Sequence, residues 1–132
     1  MVFEISLDRQ IGFPTANVGR AGATMFIYVM KIVIKPDKTV EFDDTLRSIS
    51  RNFLKAKGCL GYSVHRDTEK ENTYSVVGEW QTRQTMEKHF KTSDYKVLIG
   101  AVRVLSENFE MNIAEVTKSG SLELAREQIA SQ

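Results

Sequence analysis

Cysteine, proline, histidine and tryptophan are scarce: 132 residues hold one Cys, two Pro, two His and one Trp. The single cysteine, Cys59, excludes an intramolecular disulfide and any site built from several thiolates. It reads as a small buried hydrophobe at a strand start, with a reactive thiol as the alternative. Charge of one sign is also lacking. Eighteen Lys and Arg against seventeen Asp and Glu leave a formal +1, and Glu69-Lys70-Glu71 alternates in sign as a solvated turn does. Neither nucleic acid nor an anionic membrane is indicated as a partner. Long hydrophobic runs are missing as well. The richest, Met25 to Ile34, is broken by Lys31 and falls far short of the ~20 residues a membrane helix needs. Residues 1–24 carry Glu4, Asp8 and Arg9 where a secretory signal needs an apolar core. A soluble cytoplasmic protein is therefore expected. There is no glycine-rich phosphate loop and no nucleophile elbow. His65 and His89 lack acidic or cysteine neighbours at ligand spacing, so no metal site is expected.

What is present has the length of one domain with a single core. Phe26 to Ile34 is rich in β-branched and aromatic residues and is stopped by Pro36, which predicts a strand. Both of its faces are largely apolar: Phe26, Tyr28, Met30, Ile32 and Ile34 on one, Ile27, Val29 and Val33 beside Lys31 on the other. Each face needs cover, an early pointer to an oligomer. From Thr39 to Lys57 the spacing of Phe42, Leu46, Ile49 and Phe53 predicts a helix. Thr39 is placed to cap it, and Gly58 to stop it with a left-handed backbone. Strands are expected at Cys59–Arg66 and Thr73–Trp80, joined by the polar link Asp67 to Asn72. A short helix follows over Thr82 to Phe90. A second, capped by Ser93, continues to about Leu105 with Tyr95, Leu98 and Val102 on its inner side. Alternation returns from Asn108 to Thr117, with Phe109, Met111 and Ile113 facing together. The order βαββαβ is the ferredoxin-like α+β signature. Residues 25–117 form that domain. Residues 1–24 form an N-terminal extension with a weak strand-like stretch at Val2–Leu7, and residues 118–132 a tail with a short amphipathic helix on Leu122, Ala125 and Ile129.

Chemistry-bearing residues gather in the middle of the chain. His89, near Met86 and Phe90, is placed to face the space between helix and sheet. An imidazole with an ordinary pKa of about 6.5 can accept a proton near neutrality. A packed histidine bonding a backbone carbonyl is the other reading. Trp80 ends its strand and buries a large ring whose single N–H needs one partner. Tyr62 shares a strand face with Leu60 and Val64, which suits packing, while its phenol could orient a substrate oxygen. Tyr28 and Tyr95 have similar status.

The run Gly58-Cys59-Leu60-Gly61-Tyr62, then Gly78-Glu79-Trp80, then His89-Phe90-Lys91-Thr92-Ser93, then Glu110-Met111-Asn112-Ile113 resembles the antibiotic biosynthesis monooxygenase family. The resemblance covers about Met25 to Thr117 and is closest in style to quinol-monooxygenase-like members. Trp80 matches the strand-end Trp of actinorhodin-type polyketide oxidases. Where those carry Asn, Tyr and Arg, this chain has Val76, Met86 and, by an ungapped count, Gly100. Haem-degrading members have Trp where His89 stands and His where Ile99 stands, and their strand-one Asn aligns near Met30. Neither catalytic set is complete.

The resemblance implies a homodimeric α/β barrel closed through the antiparallel sheets. It also implies oxidation of a small phenolic or quinol-like aromatic by O₂ without metal or organic cofactor. In that scheme His89 accepts the substrate proton and Tyr62 orients the anion, while Trp80, Tyr28 and Tyr95 line the site. An isomerase on the same scaffold, or a non-catalytic small-ligand or haem-binding protein, is the alternative.

Overall fold

A computed structural model of the chain describes residues 25–130; the strand-like stretch at Val2–Leu7 lies outside them. Strand β1 (Met25–Ile34) is followed by a 3₁₀ turn at Pro36–Lys38 and helix α1 (Thr39–Lys55). Strands β2 (Cys59–Arg66) and β3 (Thr73–Trp80) then form a hairpin. Asp67 sets its turn by accepting from the backbone N–H groups of Glu69 and Lys70. Helices α2 (Arg83–His89) and α3 (Ser93–Leu105) lead into strand β4 (Ser106–Val116), and helix α4 (Leu122–Ala130) follows. The sheet is antiparallel in the order β2-β3-β1-β4, the ferredoxin-like arrangement expected from the element order.

Strand register lays the helix-covered face out in rows. Cys59, Trp80 and Phe26 stand abreast; the next row is Tyr62, Gly78, Tyr28 and Ile113, and the next Val64, Val76, Met30 and Met111. Phe42, Leu46, Ile49 and Phe53 of α1 and Leu98, Val102 and Leu105 of α3 close over these rows. The opposite face carries Ile27, Val29, Val33 and Val77, all half-buried, and among the described residues no helix of the core is laid on it. At one end of the sheet Arg66 donates to both oxygens of Asp43, at 2.8 and 3.0 Å, and Tyr74 donates to the same carboxylate at 2.6 Å. Arg66 also lies over the Tyr74 ring, 4.9 Å from its centroid. That cluster pins the N-terminal part of α1 to the hairpin and leaves the Trp80 end of the sheet for the candidate site.

Several local expectations change. Thr39 is the first helical residue rather than a cap, because the 3₁₀ turn at Pro36–Lys38 already delivers the chain into the helix; no side chain caps α1. The α1 helix ends at Lys55, two residues before the expected Lys57, and Gly58 takes the left-handed turn at φ 84°. The cap of α3 is Thr92, not Ser93, its side chain accepting from the Tyr95 N–H at 3.2 Å. Strand β4 starts at Ser106, directly from α3. A register shift between Cys59 and Gly61 removes Leu60 from the face it was expected to share with Tyr62. Cys59 packs on the core there instead, opposite Trp80.

Candidate active site

Three local devices set the position of His89. Gly58 brings the chain from α1 into β2, and its carbonyl accepts from the Gln81 N–H at 2.8 Å, tying the exit of β3 to the entry of β2. Thr82 and Thr85 then start α2 with reciprocal caps: the Thr82 hydroxyl accepts from Thr85 N–H, and the Thr82 N–H donates to the Thr85 hydroxyl. His89 is the last residue of this short helix. Thr92 donates its hydroxyl to the His89 carbonyl at 2.8 Å while capping α3, which sets Tyr95 beside the imidazole.

The His89 side chain is 3% exposed and surrounded by rings. Trp80 stacks on it at 4.6 Å between centroids, Phe53 meets it edge-on at 4.5 Å, and Tyr95 lies at 5.2 Å. Tyr28 lies nearly parallel, 11° between planes and 5.7 Å away, and its hydroxyl is 2.8 Å from His89 Nε2. The side chain therefore pairs with a phenol rather than the backbone carbonyl considered from sequence. Tyr62 joins the group through Phe53, edge-on at 5.0 Å. All five residues singled out from sequence, His89, Tyr62, Trp80, Tyr28 and Tyr95, thus come together at one end of the sheet. Phe53 and Phe90 complete the wall; from sequence Phe53 read only as core. His65 is elsewhere, exposed and 3.1 Å from the Ser63 hydroxyl.

Burial holds every titratable group of this cluster in its neutral form at neutral pH. It lowers His89 to about 4 and raises Cys59 to about 11. Burial likewise pushes Tyr28 and Tyr62 well above the ordinary phenol value, and Tyr95 upward. Ser50 works against the shift of Tyr62, but its hydroxyl donates to the Leu46 carbonyl. Among the described residues neither the Tyr62 hydroxyl nor the Trp80 Nε1–H, both buried, has a hydrogen-bond partner. Such idle donors cost about 1–3 kcal/mol each, and an oxygen acceptor would satisfy them. A neutral imidazole–phenol pair beside two idle donors can move a proton and hold a developing oxygen charge. Among the described residues no group of three or more His, Cys, Asp or Glu is placed to hold a metal ion.

Solved structures share this architecture. A candidate antibiotic biosynthesis monooxygenase of Nitrosomonas europaea superposes with a TM-score of 0.67 at 17% identity, covering 72% of this chain and 92% of that one. A conserved protein of Methanosarcina mazei Go1 gives 0.64 at 23% identity, over 74% and 94%. At these identities the likeness is one of fold. An uncharacterized protein of Synechocystis sp. is 24% identical over 92 residues, 69% of this chain, and the match spans 63% of that protein, less than two thirds of its length. Residues 25–100, more than half of the chain and all of the site described above, match the antibiotic biosynthesis monooxygenase family, and the chain belongs to that family.

Proposed function

We propose that the chain is a monooxygenase oxidising a small phenolic or quinol-like aromatic with O₂ inside the aromatic cluster around His89, with no metal or organic cofactor in the reaction. The observation that carries this is the buried imidazole–phenol pair, His89 and Tyr28, next to the idle donors of Tyr62 and Trp80. Family membership supports the reaction class. The substrate loses its hydroxyl proton to His89, and the electron-rich anion passes one electron to O₂. The radical pair couples to a peroxide anion, which takes the proton back from His89 to become a hydroperoxide and then loses water to leave a quinone. Each turnover consumes one phenol and one O₂ and yields one quinone and one water.

Magnitudes test whether His89 suffices as acceptor. A phenol of ordinary acidity, about 10, giving its proton to an imidazole near 4 climbs about six pK units, roughly 8 kcal/mol. A turnover of about one per second corresponds to a barrier of about 17 kcal/mol. The proton step takes about half of that, so the imidazole is adequate without being strong. Tyr62 and Trp80 lower the cost by donating to the forming anion. Tyr95 and Tyr28 shape the wall.

The same proposal includes a homodimer closed through the sheets. The open sheet face carries Ile27, Val29, Val33 and Val77, and a second copy is the partner expected to cover it. The function is tested by oxygen uptake with a panel of hydroquinones in the presence of a chelator. Uptake that depends on His89 supports it, and no uptake with any member overturns it.

A further inference from the structure

Gly78 stands directly across from Tyr28 on one side and Tyr62 on the other. A methyl group on Gly78 would lie 2.6 Å from Cε2 and Cζ of Tyr28 and 3.0 Å from its hydroxyl oxygen. The Tyr28 ring therefore rests in the space that any other residue would fill. It cannot swing aside to make room: Tyr28 is fully buried, with Phe90 at 5.5 Å and Tyr95 at 6.4 Å. Rested there, its hydroxyl takes up His89 Nε2. One face of the imidazole is occupied as well, by Trp80 stacked at 4.6 Å, and Phe53 stands edge-on at 4.5 Å. A substrate thus finds Nε2 already engaged.

We propose that Gly78 is a positioning residue that seats Tyr28 on His89, and that the Tyr28 hydroxyl is the group that meets the substrate and relays its proton. The relay rests on the oxygenase function proposed above; the seat of Tyr28 does not. In the relay the substrate O–H bond breaks as a new O–H forms on Tyr28. The original Tyr28 O–H breaks as N–H forms at His89 Nε2. Tyr28 ends unchanged, the substrate becomes an anion and the imidazole a cation, so atoms and charge balance. Tyr28 then acts as a catalytic residue rather than part of the wall.

NMR on the full chain tests the seat without a substrate. The wild type, and Gly100→Ala as a control in open space, should show a slowly exchanging Tyr28 hydroxyl proton coupled to His89 Nε2. Gly78→Ala should lose that signal. A folded Gly78→Ala that keeps it overturns the seat. Tyr28→Phe, which retains the ring, tests the relay even if Gly78→Ala does not fold. Its oxygen uptake with hydroquinone should fall about 10²-fold or more, as in His89→Gln. The double variant should fall no further, since both residues act on one proton. Tyr28→Phe with full uptake beside an inactive His89→Gln overturns the relay and leaves the oxygenase intact. A wild type that takes up no oxygen overturns the oxygenase and the relay together, and the seat is still decided by the NMR signal.

Discussion

His89 is buried, neutral and hydrogen-bonded at once, and each property has a measurable consequence. In the unfolded chain its imidazole titrates near the ordinary 6.5, and in the folded one near 4. Between those values the unfolded chain binds the extra proton, so stability falls as pH drops from about 6.5 towards 4. The full shift corresponds to on the order of 3 kcal/mol. Denaturant melts across that window should show the loss, and His89→Gln should remove this part of it. An identical slope in the variant would mean that the imidazole is more solvated than its 3% exposure indicates. The low value also moves the pH–rate profile. A rise governed by free His89 belongs near 4, rather than near the 6.5 expected of an unperturbed histidine. Trp80 is 1% exposed and stacks on His89. Its replacement by Ala should cost about 3–5 kcal/mol in a chemical melt, in addition to any activity. Full stability with lost activity would make the ring chiefly a substrate contact.

At the scale of elements, amphipathic spacing carried most of the information. Period-four spacing of Phe42, Leu46, Ile49 and Phe53 and the alternation of Tyr74, Val76, Gly78 and Trp80 are consequences of burial against one sheet, so both were legible. What was not legible depends on contacts between elements. Thr92 rather than Ser93 caps α3 while also bonding the His89 carbonyl three residues back; two adjacent hydroxyl residues stand at the helix start, and spacing does not choose between them. The shift that puts Cys59 rather than Leu60 on the core face follows from how β2 meets β3. The site residues were visible as residue types, yet their pairing was not. Nothing in the spacing of Tyr28 and His89, 61 positions apart, announces a hydrogen bond. Gly58 was legible and is testable. At φ 84° an added Cβ would also sit 2.5 Å from atoms of Thr85, the residue that caps α2. Gly58→Ala should therefore cost at least the ~1–2 kcal/mol of a left-handed residue. Gly100→Ala, in open space within α3, should gain about 0.5–1 kcal/mol. Thermal melts of the two variants should move in opposite directions. A neutral Gly58→Ala would show that the turn and Thr85 can both give way.

For the whole molecule, the ferredoxin-like sheet buries one face under α1 and α3 and leaves the other with an apolar centre of Ile27, Val29, Val33 and Val77. A stable pairing through that face would bury about 1,600 Å². Light scattering should give twice the chain mass, and Val29→Glu should halve it, because an unpaired carboxylate in a dry interface is strongly disfavoured. A wild-type mass of one chain would contradict the dimer. No helix among the described residues is long and apolar enough to cross a membrane. Family membership and fold leave the reaction to be decided by the site. The most direct measurement is oxygen consumption by the full chain with a hydroquinone panel under metal chelation, comparing wild type with His89→Gln. Uptake of one O₂ per quinone formed is expected, lowered about 10²–10⁴-fold in the variant. Equal uptake by both proteins would contradict the role of His89, and none by either would contradict the oxygenase itself.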